Sequence, residues 1–160
     1  MNDRPFSCVV IGARGVGAIH VREIVRAGIT DISVAGRTEA SAIRTAQHLS
    51  RTLNHRICAQ KLENVVRSGS NLVCVCTPTS LHLETCLPLL EAGFHVFVEK
   101  PLFWDDSFSQ QDVEKTCKHL FMTAEGRLAV NHPTSLLAQS FLDCVGPLPQ
   151  LDAIMFSYRT

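Results

Sequence analysis

The sequence predicts an α/β fold built on a mainly parallel, doubly wound sheet with helices on both faces. Three observations carry that prediction. Val9 to Val21 runs an apolar strand through a glycine-rich turn into a helix, the build of a phosphate-binding βα turn. Short apolar runs then alternate with helical periodicity down to Val130, as repeated βα units do. The strand-like runs are also apolar at consecutive positions, which suits strands covered on two faces.

Phe6 to Ile11 is the first of these runs. In the turn after it, Gly12 permits a sharp bend, Gly15 and Gly17 keep side chains off an approaching pyrophosphate and off the neighbouring strand, and the helix offers unpaired N–H groups to anionic oxygens. The dinucleotide fingerprint asks for glycine at 12, 14 and 17, and position 14 is Arg14. Ala18, Val21 and Val25 recur at helical spacing, with Gly28 at the C-terminal cap. Ile32 to Ala35 makes the second strand. It ends in Gly36-Arg37-Thr38, about twenty residues beyond Gly17, where a dinucleotide-binding fold holds the adenosine ribose. An acidic residue there would take the 2′-hydroxyl; Arg37, with a hydroxyl beside it, suits a 2′-phosphate, which favours NADP over NAD.

Glu39 to Leu53 reads as a helix with Ile43, Ala46, Leu49 and Leu53 on one face and Asn54 as its stop. A short strand at Arg56 to Ala59 and a brief helix at Lys61 to Ser68, ended by Gly69, lead to Leu72–Thr77, the most apolar strand and the expected centre of the sheet. Pro78 forbids its continuation, and Thr79 or Ser80 is placed to cap the next helix, lined by Leu83, Cys86, Leu87 and Leu90 and closed by Gly93. His95 to Glu99 is a fifth strand, stopping at Glu99-Lys100-Pro101. Both strand ends then fall on the carboxyl edge of the sheet beside the glycine turn, where open α/β sheets bind ligands, with Lys100 directed into the crevice. Asp105 to Met122 predicts a helix with Val113, Leu120 and Phe121 inward, and Arg127 to Val130 a sixth strand. His132-Pro133 opens a further helix ended by Gly146-Pro147, and Leu151 to Tyr158 reads as a strand.

Composition narrows the partners. With 160 residues, 46% hydrophobic, the chain can bury one substantial core. Fifteen basic against fifteen acidic residues leave no net charge and no basic patch for nucleic acid or an anionic membrane, so small molecules or protein are the expected partners. Seven cysteines, an odd number set mostly in apolar patterns, suit buried reduced thiols, and the Cys74-Val-Cys76 spacing fits neither a zinc knuckle nor a thioredoxin-type pair, so no metal site is expected. With no signal-like start and no membrane-length apolar run, the expected location is the cytoplasm.

Ile11-Gly-Ala-Arg-Gly-Val-Gly-Ala-Ile-His20, Thr77-Pro-Thr-Ser-Leu-His82 and Glu99-Lys-Pro101, in this order over the first 130 residues or so, resemble the three motifs of the glucose–fructose oxidoreductase, inositol dehydrogenase and MocA-type dehydrogenase family. The resemblance implies a Rossmann domain, strand order 3-2-1-4-5-6, that binds NAD or NADP and precedes a substrate domain on a largely antiparallel sheet. It implies that Gly12, Gly15, Val16 and Gly17 hold pyrophosphate and that Arg37 and Thr38 hold a 2′-phosphate. Thr77, Pro78 and His82 would border the nicotinamide half, with Glu99 and Lys100 beside its ring, Lys100 matching the family's lysine at the reacting centre.

Arg14 departs from the pattern: it either swings clear of the pyrophosphate or adds positive charge to the phosphate site, and the alternative reading Gly12-x-x-Gly15 with Ala18 suits an NADP-binding turn. The resemblance places the Rossmann domain at 1–147 and a linker with the first strand of a missing or truncated second domain at 148–160, a strand that pairs with another chain or packs back. His132 is a lesser candidate near the pocket. The function implied is hydride transfer between NADP and the carbonyl or hydroxyl of a sugar- or cyclitol-like substrate. The alternative is an NADP-binding sensor or regulatory module without turnover.

Overall fold

The computed structural model describes residues 6–131. Six strands form one sheet: β1 (Ser7–Ile11), β2 (Asp31–Gly36), β3 (Ile57–Lys61), β4 (Leu72–Val75), β5 (His95–Val98) and β6 (Leu128–Val130), in the order β3-β2-β1-β4-β5-β6. Every pairing is parallel. The helices are α1 (Val16–Arg26), α2 (Glu39–Leu53), α3 (His82–Glu91) and α4 (Gln110–Ala124), with 3-10 turns at Leu62–Arg67 and Thr79–Leu81. The expected strand order and doubly wound architecture are therefore present. The predicted helix from His132, the boundary near Gly146 and the strand at Leu151–Tyr158 lie outside the described residues.

Alternation along the central strands splits the core into two layers, because successive strand side chains point to opposite faces. Val9, Ile11, Val73, Val75, Val96 and Val98 pack with Cys86, Leu89 and Leu90 of α3 and with Leu120 and Ala124 of α4. On the other face Cys8, Val10, Ile32, Val34, Cys74 and Cys76 pack with Val21 of α1 and with Ala46 and Leu49 of α2. Val9, Val10, Val73 and Val75 are fully buried, so β1 and β4 form the centre of the sheet. Each such side chain contributes roughly 1.5–3 kcal/mol. Among the described residues no helix is long and apolar enough to cross a membrane.

The helix ends follow local chemistry. Thr38 caps α2 by accepting the Ser41 N–H at 3.2 Å, and Asn54 takes the left-handed conformation that ends it, as its sequence position predicts. Four expectations are corrected. The helix expected from Asp105 begins at Gln110, because the Asp105 carboxylate accepts the Ser107 N–H at 2.9 Å and its hydroxyl at 2.6 Å, closing a separate turn, while Ser109 and Asp112 form a capping box. On that helix Leu120 and Ala124 are buried, whereas Val113 and Phe121 are exposed. The side-chain cap expected from Thr79 or Ser80 is absent, since the Leu81 N–H donates to the Pro78 carbonyl at 2.9 Å and a 3-10 turn precedes α3. Ile43, expected in the core, is 42% exposed. It faces the open groove beside edge strand β3, with Ile57 and Ala59.

Candidate functional site

Three backbone bonds bring the strand ends together beyond the regular ladder. The Gly12 N–H donates to Ala35 at 2.9 Å, the Cys76 N–H to Ile11 at 2.8 Å and the Glu99 N–H to Val75 at 2.9 Å. These bonds place the carboxyl ends of β2, β1, β4 and β5 side by side. Gly12, Thr77, Pro78, Glu99 and Lys100 consequently share one edge of the sheet, with the start of α1 above β1 and Arg37 and Thr38 following β2.

Glycine is required in the turn for contact reasons. At Gly12 the backbone has φ +80°, and a Cβ there would lie 2.6 Å from the Cys76 carbonyl oxygen; one on Gly17 would collide with the Gly12 carbonyl. Helix α1 can thus sit directly against the turn and β4. Its N-cap is Gly15, which supplies no side-chain cap. The Gly17 and Ala18 N–H groups bond the Arg14 and Gly15 carbonyls at 3.1 Å, while those of Gly15 and Val16 donate to no backbone carbonyl among the described residues. That leaves a bare helix N-terminus, a site suited to anionic oxygen. Close by, Thr77 Oγ1 is buried without a hydrogen-bond partner among the described residues. A buried hydroxyl without a partner is costly unless a ligand group meets it. A close-approach glycine turn, a bare helix start and this orphaned hydroxyl together fit a dinucleotide.

Glu99 is a buried carboxylate, 7% exposed. It pairs with His20 Nε2 and accepts the Lys100 N–H at 3.2 Å, so α1 and the end of β5 are held by one side chain. The His20 ring meets Phe97 edge-on, with centroids 5.3 Å apart. His20 stands in the opening motif but had no role assigned from sequence; its one signal is its place one helical turn beyond Gly17. Lys100 itself is exposed at the rim and makes no salt bridge among the described residues. His82 is fully buried, its Nδ1 2.9 Å from the Pro101 carbonyl and its Nε2 2.8 Å from the Thr77 carbonyl. It ties the loop after β4 to the loop after β5, holding the platform on which Thr77 and Lys100 stand.

The cysteines nearest the site are packing residues. Burial, with the charges of Cys74 and Glu99, pushes the Cys76 thiol up to about 12. The hydrogen bond that Cys74 shares with Cys8, whose sulfur lies 3.8 Å away, and burial raise Cys74 as well. At neutral pH both therefore stay protonated, whereas the thiolate is the nucleophile and metal ligand.

The parallel sheet, the glycine turn and the strand-end cleft define a dinucleotide-binding α/β domain of the Rossmann type. The sequence profile of the Gfo/Idh/MocA group, described as an oxidoreductase family with an NAD-binding Rossmann fold, matches residues 6–132, and the chain belongs to that family. Among solved structures it is similar to UDP-N-acetylglucosamine 3-dehydrogenase GnnA from Acidithiobacillus ferrooxidans, with a TM-score of 0.67 and 24% identity over 88% of this chain and 43% of that one. It is also similar to scyllo-inositol dehydrogenase from Lactobacillus casei, solved with NAD(H) and scyllo-inositol, with a TM-score of 0.60 and 16% identity over 88% of this chain and 42% of that one. An uncharacterized oxidoreductase, YfiI, of Bacillus subtilis is 42% identical over 45 residues, 28% of this chain and 12% of the relative. The matches thus span less than half the length of these relatives.

Proposed function

We propose that the protein is an NADP-dependent oxidoreductase acting between a carbonyl and a hydroxyl carbon of a sugar- or cyclitol-like substrate. The observation that carries this reading is the convergence of the bare α1 N-terminus, the orphaned Thr77 hydroxyl and Lys100 on one sheet edge. Gly12, Gly15, Val16 and Gly17 hold the pyrophosphate, and Thr77 and Pro78 border the nicotinamide half. His82 contributes by fixing both loops. Nicotinamide, when bound, supplies or accepts the hydride.

The chain's own residues do the rest. The Lys100 ammonium polarises a carbonyl, or its amine takes the proton from an alcohol. Glu99, engaged with His20 and with the Lys100 N–H, holds that lysine in register. Arg37, exposed at the end of β2 where an acidic residue would bind a free 2′-hydroxyl, together with Thr38 favours a 2′-phosphate. The substrate class is supported by the names of the two solved relatives, a UDP-sugar dehydrogenase and an inositol dehydrogenase. Fluorescence titration with NADPH and with NADH tests the reading. The expected result is at least tenfold tighter binding of NADPH, about 1.4 kcal/mol. Binding of neither cofactor by the folded protein overturns it.

A further inference from the structure

Trp104 is the single tryptophan of the sequence and stands four residues beyond Lys100. Because β5 and β6 are parallel and α4 returns between them, the segment 99–109 begins and ends on the same carboxyl edge of the sheet as the cleft. That segment is anchored at several points. Leu102 and Phe103 pack against the core, the Pro101 carbonyl meets His82 Nδ1 at 2.9 Å, and the Phe103 and Phe108 rings meet at a tilt with centroids 5.9 Å apart. Asp105 closes its turn with Ser107, and Trp104 Nε1 donates to Asp106 Oδ1 at 2.7 Å. The indole is nonetheless 66% exposed, and among the described residues no other ring covers it.

Holding a large ring in one orientation costs side-chain freedom, which burial of its apolar surface ordinarily offsets. At Trp104 that burial is left to a ligand. An indole offers a broad apolar surface with a negative π face. The C–H bonds on one face of a sugar or cyclitol ring are polarised positive by the neighbouring oxygens and lie flat on such a surface, while the hydroxyls at the ring edge need donors and acceptors. Lys100 supplies a donor, and the Asp105 and Asp106 carboxylates, each bonded through Oδ1, keep Oδ2 as an acceptor. By chain length alone the Cα atoms of Lys100 and Trp104 lie at most about 14 Å apart, a span that the lysine stem and one such ring can bridge. We infer that Trp104 is the platform on which the ring of a sugar- or cyclitol-like substrate stacks, with Asp106 orienting the indole and accepting a ring hydroxyl. This inference rests on the proposed substrate class and deepens it. A wall of this kind selects a flat polyhydroxylated ring over an open-chain polyol.

As the one tryptophan, Trp104 reports its own contacts by fluorescence. Its emission is titrated in the wild-type protein with myo-inositol, with methyl glucopyranoside and with glycerol, whose hydroxyls come without a ring face. NADPH and NADH binding is read in the same protein from nicotinamide fluorescence. At least one ring probe is expected to change the Trp104 emission saturably, and glycerol to leave it unchanged; the probe that responds identifies the ring type. Saturation-transfer NMR of that probe then compares variants. Trp104→Leu is expected to weaken it about tenfold and Trp104→Phe, which keeps an aromatic face, to restore part of the loss. Asp106→Ala, which frees the indole, is expected to weaken it several-fold. Both side chains are exposed, so the variants keep the fold, and circular dichroism checks it. Undiminished binding of the ring probe in Trp104→Leu, or an equal response to glycerol, overturns the inference and leaves the substrate class standing. No saturable response to either ring probe overturns both, while NADPH binding by the same protein keeps the cofactor reading.

Discussion

At the scale of single residues, the closest constraint is at Gly17, where a side chain has nowhere to go but into the Gly12 carbonyl. Gly17→Ala should therefore push α1 away from the turn, lowering stability by about 1–3 kcal/mol as overpacking does and weakening cofactor binding with it. Denaturant midpoints and NADPH titration on the same variant check both effects. Lys100 predicts the opposite pattern. On the proposed reading, Lys100→Ala leaves folding and NADPH affinity intact but cuts turnover by about 10²–10⁴-fold, and undiminished turnover removes Lys100 from the chemistry. The places of the glycines and of Lys100 on the sheet edge were legible in the sequence because each belongs to a short local pattern at a strand end. His20 was not, because its partner Glu99 lies 79 residues away and no periodicity links the two.

At the scale of elements, α2 could be read to its ends, since Thr38 and Asn54 are caps in their own right. Helix α4 could not: Asp105 and Ser107 mimic a helix start but close a turn, and the box of Ser109 and Asp112 sets the true one. Ser109→Ala should cost about 1 kcal/mol of stability, measurable by thermal unfolding. Hydrogen bonds from the Ser109 hydroxyl and N–H hold the Asp112 carboxyl below the usual aspartate value. A lowered folded value means that the box's contribution is present above the ordinary aspartate range and is lost as pH falls through the folded value. Asp112→Asn should accordingly flatten the acid limb of a melting temperature–pH profile, and an unchanged limb would show that the box contributes nothing. The apolar periodicity of α4 was also misleading at Val113 and Phe121, because a helix pattern gives a face but not the width of surface available to cover it.

At the scale of the whole molecule, the alternation of strand and helix was enough to give the architecture, since apolar strands joined by helices must lie parallel and be covered on both sides. The order of the strands was not contained in that alternation and came through the resemblance to the family. The site was legible as a region, because strand ends in a parallel sheet share an edge; its inner bracing by Glu99 and His82 was not, being made of bonds between distant segments. The central pairing has a kinetic meaning. β1 leaves the ribosome some sixty residues ahead of β4, yet its register joins Cys8 to Leu72 and Ile11 to Val75, and the edge is complete only with β5. During synthesis the glycine turn must therefore wait, half-covered, until β4 and β5 have emerged. Such long-range pairing slows folding and leaves unpaired strand edges exposed meanwhile, so a nascent chain arrested before β4 would offer chaperones the very strand that later becomes the centre of the protein.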